Sequence, residues 1–154
     1  KLLSKLSIIL ILFSLMACTE PSMKRINALT KQLEQIEEKQ TDAEAAFNKL
    51  VEECAQFDNF LRENNNPKPE MQLLRAYLQQ YEDEREAIEQ DIVYSYSQLK
   101  DLKDDFRKGL YDENQRDEYL KSEEKAVKTL EAKLDYFIDR FKKQSEFIKS
   151  VEKQ

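Results

Sequence analysis

Three long stretches of this chain carry apolar residues at alternating steps of three and four, and that spacing constrains the fold more than any other feature. In the first, Ile26, Leu29, Leu33, Ile36, Gln40, Ala43, Phe47, Leu50, Cys54, Phe57 and Leu61 follow the pattern without a skip. The second runs Met71, Leu74, Leu78, Tyr81, Arg85, Ile88, Ile92, Ser95, Leu99, Leu102 and Phe106. The third runs Leu120, Glu123, Val127, Leu130, Leu134, Phe137, Phe141, Gln144, Ile148 and Val151. A sustained seven-residue period places one seam of side chains on one face of a helix, as in coiled-coil packing, and does not suit a strand.

Two breaks separate the stretches. In Asn64-Asn65-Asn66-Pro67-Lys68-Pro69 the prolines cannot sit inside a helix, although Pro69 suits the first turn of the next one. Gly109 fits the left-handed residue that ends a helix, with Leu110 as its apolar follower. Asp112 with Gln115 three residues later reads as a capping box. The expected helices cover about 22–63, 69–108 and 112–152, each about 60 Å long at 1.5 Å per residue. Short connections make sequence neighbours antiparallel. The expectation is an all-α, elongated antiparallel three-helix bundle, with residue 22 beside the Gly109 turn and the Asn/Pro loop beside the C-terminus. Phe60, Tyr77, Tyr96, Tyr119, Ile138 and Phe147 flank the seams and widen the apolar stripe beyond that of a bare hairpin. A dimer of longer hairpins is the competing arrangement.

The start of the chain differs in kind. Lys1 and Lys5, an apolar run from Ile8 to Leu15 and the tetrad Leu15-Met16-Ala17-Cys18 have the outline of a secretory signal. The run is too short to cross a bilayer, which takes about 20 residues. The tetrad resembles the lipobox of bacterial lipoproteins, although Met16 is a less usual choice at its variable position. That resemblance implies cleavage before Cys18 and lipid on Cys18, with residues 18–21 as a short tether and the bundle over 22–154. It also implies a place in a bacterial cell envelope; in a source with two membranes, Thr19 where an inner-membrane retention signal has Asp favours the outer one. A single acyl chain gives only marginal membrane binding, whereas this family carries a diacylglyceryl group.

Composition then removes functions. Taking away residues 1–17 leaves 23 basic and 31 acidic residues, a balance unsuited to neutralising phosphates, and no nucleic-acid partner is expected. The chain has no histidine, which excludes Ser-His and Cys-His catalytic pairs and His-ligated metals, and one glycine cannot build a phosphate-cradling loop. Acidic clusters at Glu82-Asp83-Glu84 with Glu86, at Asp101, Asp104 and Asp105, and at Asp117-Glu118 alternate with lysine and arginine and read as solvated helix faces. No cofactor or metal is expected, and no enzymatic activity. Polar residues within the seams (Gln40, Arg85, Ser95, Glu123, Gln144) read as devices that fix register. Cys54, left without a partner once Cys18 is lipidated, reads as a buried, inert thiol.

What remains is surface. Leu73, Val93 and Tyr94 fall outside the second seam and Tyr136 outside the third, so these four are the candidate partner surface; the Asn64–Pro69 tip is a further candidate. The expected role is a membrane-anchored helical spacer, adaptor or interaction module with an envelope protein partner, and a second copy of the chain is a further candidate partner. A chaperone-like binder of envelope clients and a cell-wall-binding lipoprotein are the alternatives.

Overall fold

The computed structural model describes residues 20–64 and 69–152. Three α-helices account for nearly all of them: α1 (Pro21–Glu63), α2 (Glu70–Arg107) and α3 (Glu113–Glu152). They form an up-down-up bundle in which all three pack on one another. One chain therefore supplies all three sides of its own core.

The helix ends follow from local chemistry. Pro21 occupies the first turn of α1, where its missing N–H costs nothing. The helix begins one residue earlier than expected, because Pro21 belongs to it. Pro69 sits just ahead of α2 in helical conformation, and its carbonyl accepts from the Gln72 N–H. At the other break Gly109 has φ of 70°, the Gly109 N–H bonds to the Phe106 carbonyl and the Leu110 N–H to the Asp105 carbonyl. Those two bonds are a Schellman closure. The apolar contact that often accompanies it is not made, since Leu110 stays exposed. Asp112 and Gln115 form the reciprocal capping box, Asp112 Oδ1 accepting from the Gln115 N–H at 2.9 Å and Gln115 Oε1 from the Asp112 N–H at 3.0 Å.

Every buried residue among those described lies at a seam position. The six seam residues that are only half-buried are Gln40, Leu78, Arg85, Glu123, Gln144 and Val151. Four of the six are polar or charged, so the seams weaken where they carry a group that water solvates better than the core does. In the upper half of the bundle Phe47, Tyr81, Phe137 and Phe141 form a cluster drawn from all three helices, with Tyr81 5.0–5.2 Å from each of the other rings. Fully burying one such side chain contributes about 1.5–3 kcal/mol, so the apolar seams dominate the energetics.

Ion pairs across the helices record direction and register. Arg25 pairs with Asp117 and Glu124, Lys39 with Glu131 and Asp135, and Glu53 with Lys149, so α1 and α3 run parallel. Between α1 and α2, Tyr96 donates to Glu37, Tyr81 donates to Glu44, and Arg75 pairs with Asp58 in reversed order. Each exposed pair contributes at most about 1 kcal/mol, which suits register better than stability.

Gly109 gives the first test. A Cβ there would meet no atom within 4 Å, so replacement strains only the backbone. Gly109→Ala is expected to lower stability in chemical denaturation by about 1 kcal/mol, the cost of a left-handed L-residue, with the denaturant slope unchanged.

Candidate functional site

The four off-seam apolar residues are all exposed: Leu73 at 52 %, Val93 at 64 %, Tyr94 at 63 % and Tyr136 at 39 %. They do not form one patch. Val93 and Tyr94 adjoin, whereas Leu73 lies about 30 Å from them along α2 at 1.5 Å per residue. Tyr136 is drawn toward the bundle by Arg140, whose guanidinium lies 5.2 Å from the centroids of both Tyr136 and Tyr77 and donates to the Tyr77 hydroxyl at 3.3 Å. Held between two rings, Arg140 ties α3 to α2 and turns part of the Tyr136 face inward. Cys18 and residues 65–68 of the other candidate loop lie outside the described residues.

Tyr94 stands at the lip of a groove between α2 and α3 of about 420 Å³. Its walls carry Asp91 and Tyr94 from α2 and Lys125 and Lys133 from α3; its floor is Ser95, Ala126, Thr129 and Leu130. The groove exists because side chains that would fill the space between the two helices are short. Ser95 is the one buried polar residue among those described, and as the smallest residue of its seam it leaves room that Ala126 does not close. The run of small residues around Ser122, Ala126 and Thr129, opposite a serine in a seam, was the signal for this groove, and it is visible only once α2 and α3 are aligned against each other. A second, shallower depression on α2 alone joins Val93 and Tyr94 to Glu86, Glu89, Gln90 and Ser97.

The opposite end of the molecule has a different character. Arg116 accounts for it, and reading the sequence alone missed this residue. Its side chain is 14 % exposed, donates to the carbonyls of Tyr111 (3.0 Å) and Phe106 (3.2 Å), pairs with Glu20 and lies 5.1 Å from the Phe106 ring centroid. One guanidinium thus closes the end of α2, the connecting turn and the start of α1. Tyr111 packs between Phe106 and Tyr119 in the same corner. Tyr119, expected to flank the seam, is 43 % exposed and packs on this turn instead. Arg116 lies one step of four before Leu120, on the continuation of the third seam, but periodicity says nothing of its partners, two of which are backbone carbonyls.

The polar seam residues separate into different roles. Arg85 reaches outward to Glu82 at 2.9 Å and Glu44 at 3.7 Å, and Glu44 also accepts from the Tyr81 hydroxyl. Burial, followed by that hydrogen bond to Glu44, raises the Tyr81 pKa. Cys54 is buried and, among the described residues, has no disulfide partner; burial pushes its thiol up to about 11, so it stays protonated at neutral pH. The acidic clusters are largely spoken for: Glu84 pairs with Lys133, Asp105 with Lys108 and Asp117 with Arg25 and Lys121. Among the described residues no three acids or cysteines lie together as a metal cage, and no helix is long and apolar enough to cross a membrane. Compared with known proteins, the chain matches no family model, no curated protein and no solved structure.

Glu123 is the seam residue whose burial has a consequence for pH. Desolvation raises its pKa, so the folded state holds the Glu123 proton more tightly than the unfolded state does. The stability this gives is present below the unfolded value and lost as pH rises through the folded one. Above the folded value the native state carries a poorly solvated carboxylate. Glu123→Gln is therefore expected to raise the thermal midpoint increasingly as pH rises, with the difference shrinking toward zero below about pH 4; a gain independent of pH would contradict this.

Proposed function

We propose that this chain is a non-enzymatic, lipid-anchored envelope protein whose helical bundle serves as a spacer or adaptor for another envelope component. The observation that carries the reading is the lipobox-like tetrad ending at Cys18, followed within three residues by the start of α1 at Pro21. So short a connection would hold the Arg116 corner against the membrane and put the far end, where Phe57 meets Phe147, roughly 60 Å away along the helices. The absence of histidine and the pairing of the acidic clusters support a role without catalysis, and the exposed Val93 and Tyr94 supply a place for a protein partner.

Labelling with radioactive palmitate in a bacterial host tests the anchor. The full chain is expected to take up label and sediment with membranes, and Cys18→Ala to lose both; label retained by Cys18→Ala would refute lipidation at that residue. The adaptor role is tested on the same membranes by cross-linking and pull-down. A partner recovered by the wild type and lost on substituting Val93, Tyr94 and Tyr136 with serine supports it, and recovery of none from wild type counts against it.

A further inference from the structure

The groove between α2 and α3 has walls of opposite charge. Asp91 and Tyr94 stand on the α2 side, and Lys125 and Lys133 on the α3 side of the same stretch. The Glu84–Lys133 pair at 3.1 Å uses one of these charges within the chain, while among the described residues Asp91 and Lys125 have no ionic partner. A surface divided in this way is complementary to itself under one symmetry operation. A two-fold axis parallel to the groove brings α2 of one copy opposite α3 of the other, with no displacement along the bundle. Because Asp91 and Lys125 line the same stretch, each Asp91 then lies level with the Lys125 of the second copy. A two-fold perpendicular to the groove would instead stack α2 on α2 and set like charge against like.

The remaining features of the face fit the parallel arrangement. Ser122 and Ala126 are short enough to let a facing helix approach, and Tyr94, 63 % exposed, stands level with them, so that it would meet them on the second copy. Aromatic anchors set among small neighbours and rimmed by charge are typical of contact centres. We propose that this face docks a second copy of the same chain, side by side and parallel, with Tyr94 of each copy against the Ser122–Ala126 stretch of the other and Asp91 against Lys125 at both contacts. The pairing does not depend on Cys18, although it keeps both Arg116 corners at one end, as two copies tethered to one membrane would require. The face spans few helical turns, so the association belongs to the weak, concentration-dependent class below about 1,200 Å².

Sedimentation of the full chain from about 1 to about 500 μM tests the pairing, since weak interfaces of this size associate in that range. The wild type is expected to pass from monomer to dimer, and to return toward monomer as salt is raised. Asp91→Lys and Lys125→Glu are each expected to weaken association by about tenfold or more, because each places like charges at both contacts. An equimolar mixture of the two variants, and a chain carrying both substitutions, are expected to associate nearly as well as wild type. Circular dichroism melts of each variant distinguish lost association from lost folding, and Tyr94→Ala gives a charge-neutral loss of association. A wild type that stays monomeric throughout at low salt, single variants that dimerise undiminished, or a mixture no better than its parts would each overturn the proposal.

Discussion

The parallel packing of α1 on α3 is the constraint on which the rest of the bundle depends. The two helices are separated in sequence by the whole of α2, yet they share the most extensive interface in the molecule. Their pairs, Arg25 with Asp117, Lys39 with Glu131 and Glu53 with Lys149, keep their offset to within one helical turn along the full length. An apolar seam alone tolerates slippage by a heptad, whereas a row of ion pairs at fixed offset does not, even though each is worth little on its own. Once α1 and α3 are parallel neighbours, α2 has only one role open to it, the antiparallel return that closes the third side.

That return has two ends of different quality. At the Gly109 turn, a Schellman closure, a capping box and Arg116 satisfy the helix ends and the connecting backbone in a few residues. Satisfying such groups matters because a helix end buried without partners costs stability. The same corner gathers the start of α1 through Glu20. At mid-length α2 and α3 meet less closely, because Ser95 and Ala126 occupy positions where larger residues would fill the space. The groove with its exposed tyrosine is thus a by-product of how the third side closes. A surface with unmet apolar area and divided charge is also the natural place for a second molecule to complete it.

Much of this was legible in the sequence for simple physical reasons. Periodicity of seven is a direct statement about which side chains share a face, and every buried residue among those described, from Ile26 to Ile148, falls on it. Gly109 and the Asp112–Gln115 pair were readable because their geometry is local. Arg116 was not, since its partners are carbonyls and a carboxylate brought together only by the tertiary fold. Nor was the inward turn of Tyr136, which depends on Arg140 reaching across to Tyr77 on another helix. The groove lay between these cases: its small residues are visible in the sequence, but their alignment across α2 and α3 is not.

The parallel pairing of α1 and α3 within one chain is tested most directly by a distance across it. Asp42 and Asp139 are both exposed and lie at the same height on the two helices. With spin labels on cysteines introduced at both positions, in a chain whose native cysteines are replaced by serine and diluted with unlabelled protein, packed helices about 8–10 Å between axes place the labels within about 30 Å. If α3 instead extended away from a hairpin of α1 and α2, helix rise alone would set the labels more than about 50 Å apart within one chain. A distribution centred at that longer distance would contradict the bundle.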